Sequence, residues 1–449
     1  MSRMFGTDGV RGIANTELTA DLAYSLGRAG AYVLTEGTHK PKILVAKDTR
    51  ISGEMLANAL MAGICSVGAD AVYVGVVPTP AIAYLTRHYG YDAGVVISAS
   101  HNPSEYNGIK FFNGDGYKLS DLLEDEIEEV MRMNSAELPM PVGGEVGHIT
   151  YRYDAKDDYV RFACSLIDLD LSGLKIVVDT AEGASYYTAP KTLESLGAKP
   201  VVIHNHPDGV NINRACGSTH MEELKKRVVE EGADLGIAFD GDADRMLAVD
   251  ENGNMVDGDQ IMAICGLYMR NQGRLKKDTV VATVMSNLGF FRMGEKEGIN
   301  IVRTKVGDRY VLEYMLANGC NLGGEQSGHV IFLDENTTGD GLISALHLLE
   351  VIVKSGKKLS ELASVMRVLP QALVNARVSN IKKEYYMDNK VVADAVAELE
   401  ARFAGAGRVL IRPSGTEPLV RVMIEGDDQK FIEEEAKKLA EIIEKNIGE

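Results

Sequence analysis

Val96-Ile97-Ser98-Ala99-Ser100-His101-Asn102-Pro103 sets a hydroxyl, an imidazole and an amide side by side at the end of an apolar run. Open α/β sheets bind ligands beyond the carboxyl ends of their strands, so Ser100 is a candidate nucleophile or phosphoryl carrier. Its surroundings are not those of a G-x-S-x-G elbow. Asn102 and Pro103 fix a turn instead. Shortly after, Asn107-Gly108-Ile109-Lys110 returns a lysine toward the same edge.

Asp240-Gly241-Asp242-Ala243-Asp244-Arg245 follows a strand-like run over 234–239. Alternating acids let one loop turn three carboxylates onto a hard cation such as Mg²⁺, with a phosphate oxygen as a further ligand. Arg245 puts a guanidinium beside that cation, the pairing phosphoryl transfer needs. An EF-hand is the obvious false match, because Glu251 falls at its twelfth position. It is rejected: Arg245 stands where that loop requires Gly, and a strand precedes the motif.

Three further loops carry chemistry. Gly323-Gly324-Glu325-Gln326-Ser327-Gly328-His329 offers a carboxylate (Glu325) and a hydroxyl (Ser327) suited to sugar hydroxyls. His329 could serve acid–base work, although a lone histidine is more often structural. Arg412-Pro413-Ser414-Gly415-Thr416-Glu417-Pro418 combines a guanidinium, hydroxyls and free amides as an anion cradle. The N-terminal stretch 5–12 reads as a tight loop around Thr7-Asp8 carrying Arg11, a planar fork for phosphate. A serine, a cation loop, a sugar-type loop and a phosphate cradle together make a phosphosugar site.

The elements that must position these loops repeat one grammar. A helix over 52–67, with Ser52 as its N-cap, leads to a strand over 71–77, a short helix over 80–88 and the buried strand 93–98. Strand 173–179, helix 184–196 and strand 200–204 follow the same order, as do strand 278–284, helix 287–297 and strand 301–304. Three such blocks predict three similar α/β domains with mixed sheets. The last 80 or so residues predict a smaller α+β domain: strand 372–378, helix 389–403, a strand pair ending at 425, and a long charged helix over 427–446. The expected domains are 1–150 (serine loop), 151–254 (metal loop), 255–368 (sugar loop) and 369–449 (a phosphate-binding lid), arranged around a central cleft. Linkers are expected near 141–155, 251–258 and 366–371.

Bulk properties exclude several classes. At 449 residues the chain is too long for one core. A net charge of −18 repels phosphate backbones and argues against nucleic acid as the main partner. No apolar run approaches the roughly 18 residues that span a bilayer, and the N-terminus has no apolar leader region, so no membrane partner and a cytoplasmic location are expected. The five scattered cysteines contain no C-x-x-C pair and read as reduced thiols.

With these residues in hand, the chain resembles the α-D-phosphohexomutase superfamily, whose four signature loops stand here in order as SASHNP, DGDADR, GGEQSGH and RPSGTEP. The stretches FGTDGVRG, DGVNINRACGSTH (208–220), GGEQSGH with Gln326, and TKVGDRYV (304–311) resemble the bacterial branch acting on amino sugars. The resemblance implies interconversion of glucosamine 6-phosphate and glucosamine 1-phosphate through a bisphosphorylated sugar, feeding UDP-N-acetylglucosamine and cell-wall synthesis. It implies a phosphoserine at Ser100, with one Mg²⁺ held by Asp240, Asp242, Asp244 and the Ser100 phosphate. Glu325 and Ser327 would bind sugar hydroxyls, and Arg412, Ser414, Gly415 and Thr416 the non-reacting phosphate. Arg11, Lys110 and Arg245 would line the site, with Lys110 or His101 moving the proton. The partner is a small phosphosugar, and a homodimer is the candidate assembly. Ala243, where many relatives carry Gly, and Ser104-Glu105-Tyr106 before Asn107 depart from the family pattern without removing a functional group. Phosphoglucomutase or phosphomannomutase activity is the nearest alternative. An aspartyl-phosphate phosphatase using Asp240-x-Asp242 is the more distant one.

Overall fold

A computed structural model describes residues 3–6, 9–35, 37, 40–133, 138–414 and 417–448. The chain packs into two units, Met1–Met285 with Gly298–Val365, and Ser286–Glu297 with Met366–Glu449.

The larger unit holds three mixed sheets. The first has the strands β1 (Val10–Ile13), β2 (Lys42–Lys47), β3 (Asp70–Val76), β4 (Ala93–Ile97), β5 (Tyr106–Asn113) and β6 (Ile149–Tyr151), in the order β1-β5-β4-β2-β3-β6. β2, β3 and β4 run parallel, and their near-continuous burial matches strands covered on both faces. Ile43, Val45, Val95 and Ile97 pack with Leu26, Leu56, Leu60 and Ile64 from helices Ala20–Leu34 and Ser52–Ser66. Those helices touch backbone to backbone. A Cβ on Gly27 would fall 2.2 Å from the Leu60 carbonyl oxygen, and one on Gly63 2.2 Å from that of Tyr24.

Two expectations change here. Ser52 opens its helix rather than capping it: no side chain caps that end, and the Ser52 hydroxyl accepts from Asn107 Nδ2 at 2.9 Å. The supposed N-terminal loop around Arg11 becomes strand β1, which pairs antiparallel with β5 and sets Arg11 opposite Gly108. Thr7 and Asp8 lie outside the described residues. β5 pairs antiparallel with β4, so Lys110 stands opposite Val96, at the end of the strand that leads to Ser100. The stretch 141–155 contains β6, which adds a parallel edge to this sheet.

The second sheet has β7 (Ile176–Asp179), β8 (Val201–Ile203), β9 (Leu235–Phe239), β10 (Met246–Asp250) and β11 (Met255–Val256), in the order β11-β10-β9-β7-β8. The stretch 251–258 is not a slack linker. β11 closes a hairpin with β10, and Asp257 caps helix Gly258–Asn271 in a reciprocal box with Gln260. At the ends of β7 and β8, Asp179 accepts from the amides of Ala181 and Gly217, and its Oδ2 lies 3.0 Å from His204 Nδ1. His204 Nε2 lies 3.1 Å from Glu223 Oε2. The Asp179 carboxylate, and after it Glu223, hold the His204 imidazole protonated, up to about 9 against burial. A histidine raised in the fold contributes stability that is complete below its unfolded value of ~6.5 and is lost as pH climbs through the folded value. The melting-temperature advantage of wild type over His204→Asn is therefore expected to be full at pH 6 and gone by pH 10. An advantage flat across that range would show that His204 carries no charge in the fold.

The third sheet has β12 (Thr279–Thr283), β13 (Asn300–Thr304), β14 (Leu322–Gly324) and β15 (Val330–Phe332), in the order β13-β12-β14-β15. Helix Leu288–Glu297, expected inside this block, packs with the smaller unit: the Leu288 amide donates to Glu425 Oε1 at 3.2 Å, and Arg292 Nη2 to the Gly405 carbonyl at 2.8 Å.

The rest of the smaller unit is an antiparallel sheet of β16 (Gln371–Arg377), β17 (Arg408–Pro413) and β18 (Leu419–Glu425), in the order β16-β18-β17. Helices Lys390–Phe403 and Gln429–Ile447, capped by Asn389 and Asp428, bury Val392, Leu399, Leu439 and Ile443 against Val420, Val422 and Ile424.

Candidate active site

Three parallel strands of the first sheet end at the same edge, and each delivers a polar group there: Asp48 after β2, Thr79 after β3 and Ser100 after β4. Ser100 adopts φ 52°, a left-handed conformation uncommon for a residue with a Cβ. Its hydroxyl donates to Asp240 Oδ2 at 2.6 Å, and His101 Nδ1 lies 3.4 Å from the Ser100 Oγ.

The six residues 240–245 turn the chain from β9 into the antiparallel β10. Backbone amides grip this loop from all three sheet blocks. Thr79 N donates to the Asp242 carbonyl (2.9 Å), Ala184 N to that of Gly241 (2.8 Å) and Gly341 N to that of Ala243 (3.1 Å). Ala243 has φ 57°, which explains why Gly suits that position and shows that this chain accepts the strain. Asp240, Asp242 and Asp244 are buried, and each brings a carboxylate oxygen within 4.8 Å of the others. Asp242 Oδ2 receives Lys110 Nζ and Thr79 Oγ1, both at 2.7 Å. Oδ1 of Asp242 and Oδ1 of Asp244 are buried with no hydrogen-bond partner among the described residues. Buried, orphaned carboxylate oxygens converging on one point suit a hard divalent cation.

The electrostatics follow from that crowding. Burial, and then the charges of Asp242 and Asp244, push the Asp240 carboxyl well up. Burial also resists ionisation of Asp242, but the Lys110 charge and hydrogen bond outweigh it and hold this carboxyl well below its usual range. Arg245 is half-buried; the loss of water opposes its charge, yet Asp244 and Asp240 hold its guanidinium firmly charged. Burial, followed by the nearby Arg245 and Arg11 cations, lowers His101 to about 4, so its ring is neutral at physiological pH.

The Glu325–His329 turn joins β14 to β15 and rests on the start of helix Gly258–Asn271. A Cβ on Gly258 would lie 2.1 Å from the Glu325 carbonyl oxygen, and Gln326 Nε2 donates to Asp257 Oδ2 at 3.1 Å. Glu325 Oε1 accepts from Gly307 N at 3.1 Å, and burial raises its carboxyl; Ser327 is exposed. His329 is buried. Its Nε2 accepts from Gly339 N at 3.2 Å while Nδ1 faces Asp244 Oδ2 at 3.5 Å, so it braces the acidic loop.

In the smaller unit, Arg412 lies on β17 opposite Arg421, and Ser414 Oγ accepts from the Glu417 amide at 3.2 Å. Buried Lys383 donates to the carbonyls of Ser414 and Glu417 beneath this turn. Gly415 and Thr416 lie outside the described residues. Thr79, Asp48 and Lys383 have no place in the sequence motifs. The first two stand at carboxyl ends of parallel strands, a position that marks them in retrospect.

Four family models match in order: Phosphoglucomutase/phosphomannomutase, alpha/beta/alpha domain I over 2–137, domain II over 157–253, domain III over 257–369, and the C-terminal domain over 373–442. A phosphoglucosamine mutase of Acetivibrio thermocellus is 63% identical over 449 residues, all of both chains. The chain belongs to this family, the α-D-phosphohexomutases. It is an enzyme of the mutase type. Its fold also matches a phosphoglucomutase/phosphomannomutase family protein of Burkholderia thailandensis, at TM-score 0.81 and 24% identity over 100% of this chain and 99% of that one. An Aspergillus fumigatus N-acetylphosphoglucosamine mutase, solved with GlcNAc-6P and magnesium, matches at TM-score 0.70 and 16% identity, over 99% of this chain and 96% of that one. Among the described residues no helix is long and apolar enough to cross a membrane.

Proposed function

We propose that the chain interconverts glucosamine 6-phosphate and glucosamine 1-phosphate through phospho-Ser100 and a bisphosphorylated sugar. The observation that carries this reading is the Ser100 hydroxyl bonded to Asp240 within a buried trio of carboxylates. Asp240, Asp242 and Asp244 would hold a Mg²⁺ ion, which when bound neutralises charge on the transferring phosphoryl oxygens. In the forward half, the Ser100 Oγ–P bond breaks and a bond from phosphorus to the free sugar hydroxyl forms. The hydroxyl proton goes to a base. His101 is neutral and 3.4 Å from Ser100 Oγ, so its ring nitrogen has a lone pair to receive it; the Lys110 ammonium is engaged by Asp242. In the return half, Ser100 Oγ bonds to the other phosphorus of the bisphosphate as the bond from that phosphorus to the sugar oxygen breaks, and the proton held by the base goes to the released sugar oxygen. Arg245 and Arg11 stabilise charge on the phosphoryl oxygens. Glu325 and Ser327 meet sugar hydroxyls, and Arg412 with Ser414 to Thr416 holds the phosphate that does not react. The same reading puts the protein in the cytoplasm.

The amino-sugar choice rests on the 63% identical phosphoglucosamine mutase relative. It is tested by kcat/KM of the phosphorylated, Mg²⁺-loaded protein on glucosamine 1-phosphate, glucose 1-phosphate and mannose 1-phosphate. Glucosamine 1-phosphate is expected to lead by about tenfold or more, ~1.4 kcal/mol of transition-state preference. A neutral sugar in the lead would keep the mechanism and overturn the specificity.

A further inference from the structure

The carbonyl oxygens of Ser100 and Asn102 are each held twice. Arg50 Nη2 donates to them at 3.2 and 2.5 Å, and Asn213 Nδ2 donates to the same pair at 2.9 and 3.0 Å. The other side of the serine turn is held as well. The Ser100 amide donates to Ser98 Oγ (3.0 Å), whose hydroxyl donates to Asp48 Oδ2 (2.5 Å), and Asp48 pairs with Arg50. Asp48 and Arg50 are wholly buried. The turn is therefore clamped at both its amide and its carbonyl edges, around a serine whose left-handed φ persists only when its surroundings over-determine it.

Asn213 belongs to the 208–220 stretch, which has no part in the phosphosugar chemistry above. It is itself left-handed, at φ 59°, and its amide donates to the Ala181 carbonyl at 2.9 Å. A Cβ on Gly241 would lie 2.5 Å from the Ser100 carbonyl oxygen and 2.6 Å from Asn213 Nδ2. The acidic loop, the serine turn and the Asn213 amide thus meet at one point.

We propose that Asn213, together with Arg50, is a positioning residue for phosphoryl transfer: it fixes Ser100 Oγ against the acidic loop by gripping the carbonyls on either side of His101. The inference rests on Ser100 as the phosphoryl carrier. A carrier misplaced by about an ångström loses on the order of 100-fold in rate, because transfer needs the reacting atoms in line. Substrate contacts made elsewhere are untouched, so the loss falls on kcat.

The test compares wild type, Asn213→Ala, Asn213→Asp and Arg50→Lys, all as full-length protein with Mg²⁺. Mass spectrometry of Ser100 after incubation with glucose 1,6-bisphosphate reads phosphoryl uptake, and steady-state kinetics reads kcat and KM. Asn213→Ala is expected to lower kcat by about 100-fold with KM within threefold, and to slow Ser100 phosphorylation in the same ratio. Asn213→Asp, isosteric but with a carboxylate facing two carbonyl oxygens, is expected to fall further. Arg50→Lys, a single ammonium in place of a planar fork, is expected to retain part of the rate if it folds. The proposal is overturned if both Asn213 variants keep kcat within twofold, or if the loss of rate matches only the loss of folded protein seen in circular dichroism. Wild type that takes up no phosphoryl group on Ser100 would instead overturn the carrier role on which the proposal stands.

Discussion

Ser100→Ala is expected to bring mutase turnover down by about 10⁴-fold or more, the size of loss seen when an enzyme's nucleophile is removed and only binding remains. Alanine deletes the oxygen proposed to carry the phosphoryl group, and with it the 2.6 Å hydrogen bond to Asp240. It leaves the fold intact, because the turn is held through its backbone by Ser98, Arg50 and Asn213. Circular dichroism and melting temperature should therefore match wild type within a few degrees, while 1-phosphate to 6-phosphate conversion disappears and no phosphoryl group is taken up. Full activity in Ser100→Ala would sink the phosphoserine mechanism and favour a nucleophilic aspartate at 240 or 242. Those acids are poor candidates in this geometry: Asp240 accepts the serine hydroxyl, and Asp242 is occupied by Lys110 and Thr79.

The serine turn and the acidic loop are legible in the sequence because each is a contiguous run at the end of a strand, where local pattern and chemistry coincide. The parallel strands β2, β3 and β4 are legible for the same reason, as buried apolar runs closed by turns. What eludes sequence reading depends on pairing across distance. Arg11 reads as a loop residue because nothing local shows that β1 pairs with β5 nearly a hundred residues on. Thr79, Arg50 and Asn213 are ordinary polar residues until the fold carries them onto Asp242 and the serine turn. Helix Leu288–Glu297 has a clear period, but periodicity says that a face is buried and not against which unit, and here the helix groups with the smaller unit.

Wild type is expected to melt at a higher temperature with Mg²⁺ than without, and Asp242→Asn to lose that rise and to lower kcat/KM by about 10³-fold. The change is isosteric and removes one of three charges that the cation would neutralise. It also leaves the Lys110 ammonium without its anionic partner, at 2.7 Å from an amide in place of a carboxylate. A ligand that binds only the folded state raises the melting temperature with its concentration, so a lost Mg²⁺ response reports lost affinity independently of turnover. One control decides location. Asp179, His204 and Cys216 also bring ligand atoms close together. There, however, Asp179 is taken up by two backbone amides and His204, and a thiol is a poor ligand for a hard cation such as Mg²⁺. Asp179→Asn should therefore keep the Mg²⁺ response that Asp242→Asn loses. The reverse outcome would move the cation to the second cluster and take the acidic loop out of the chemistry.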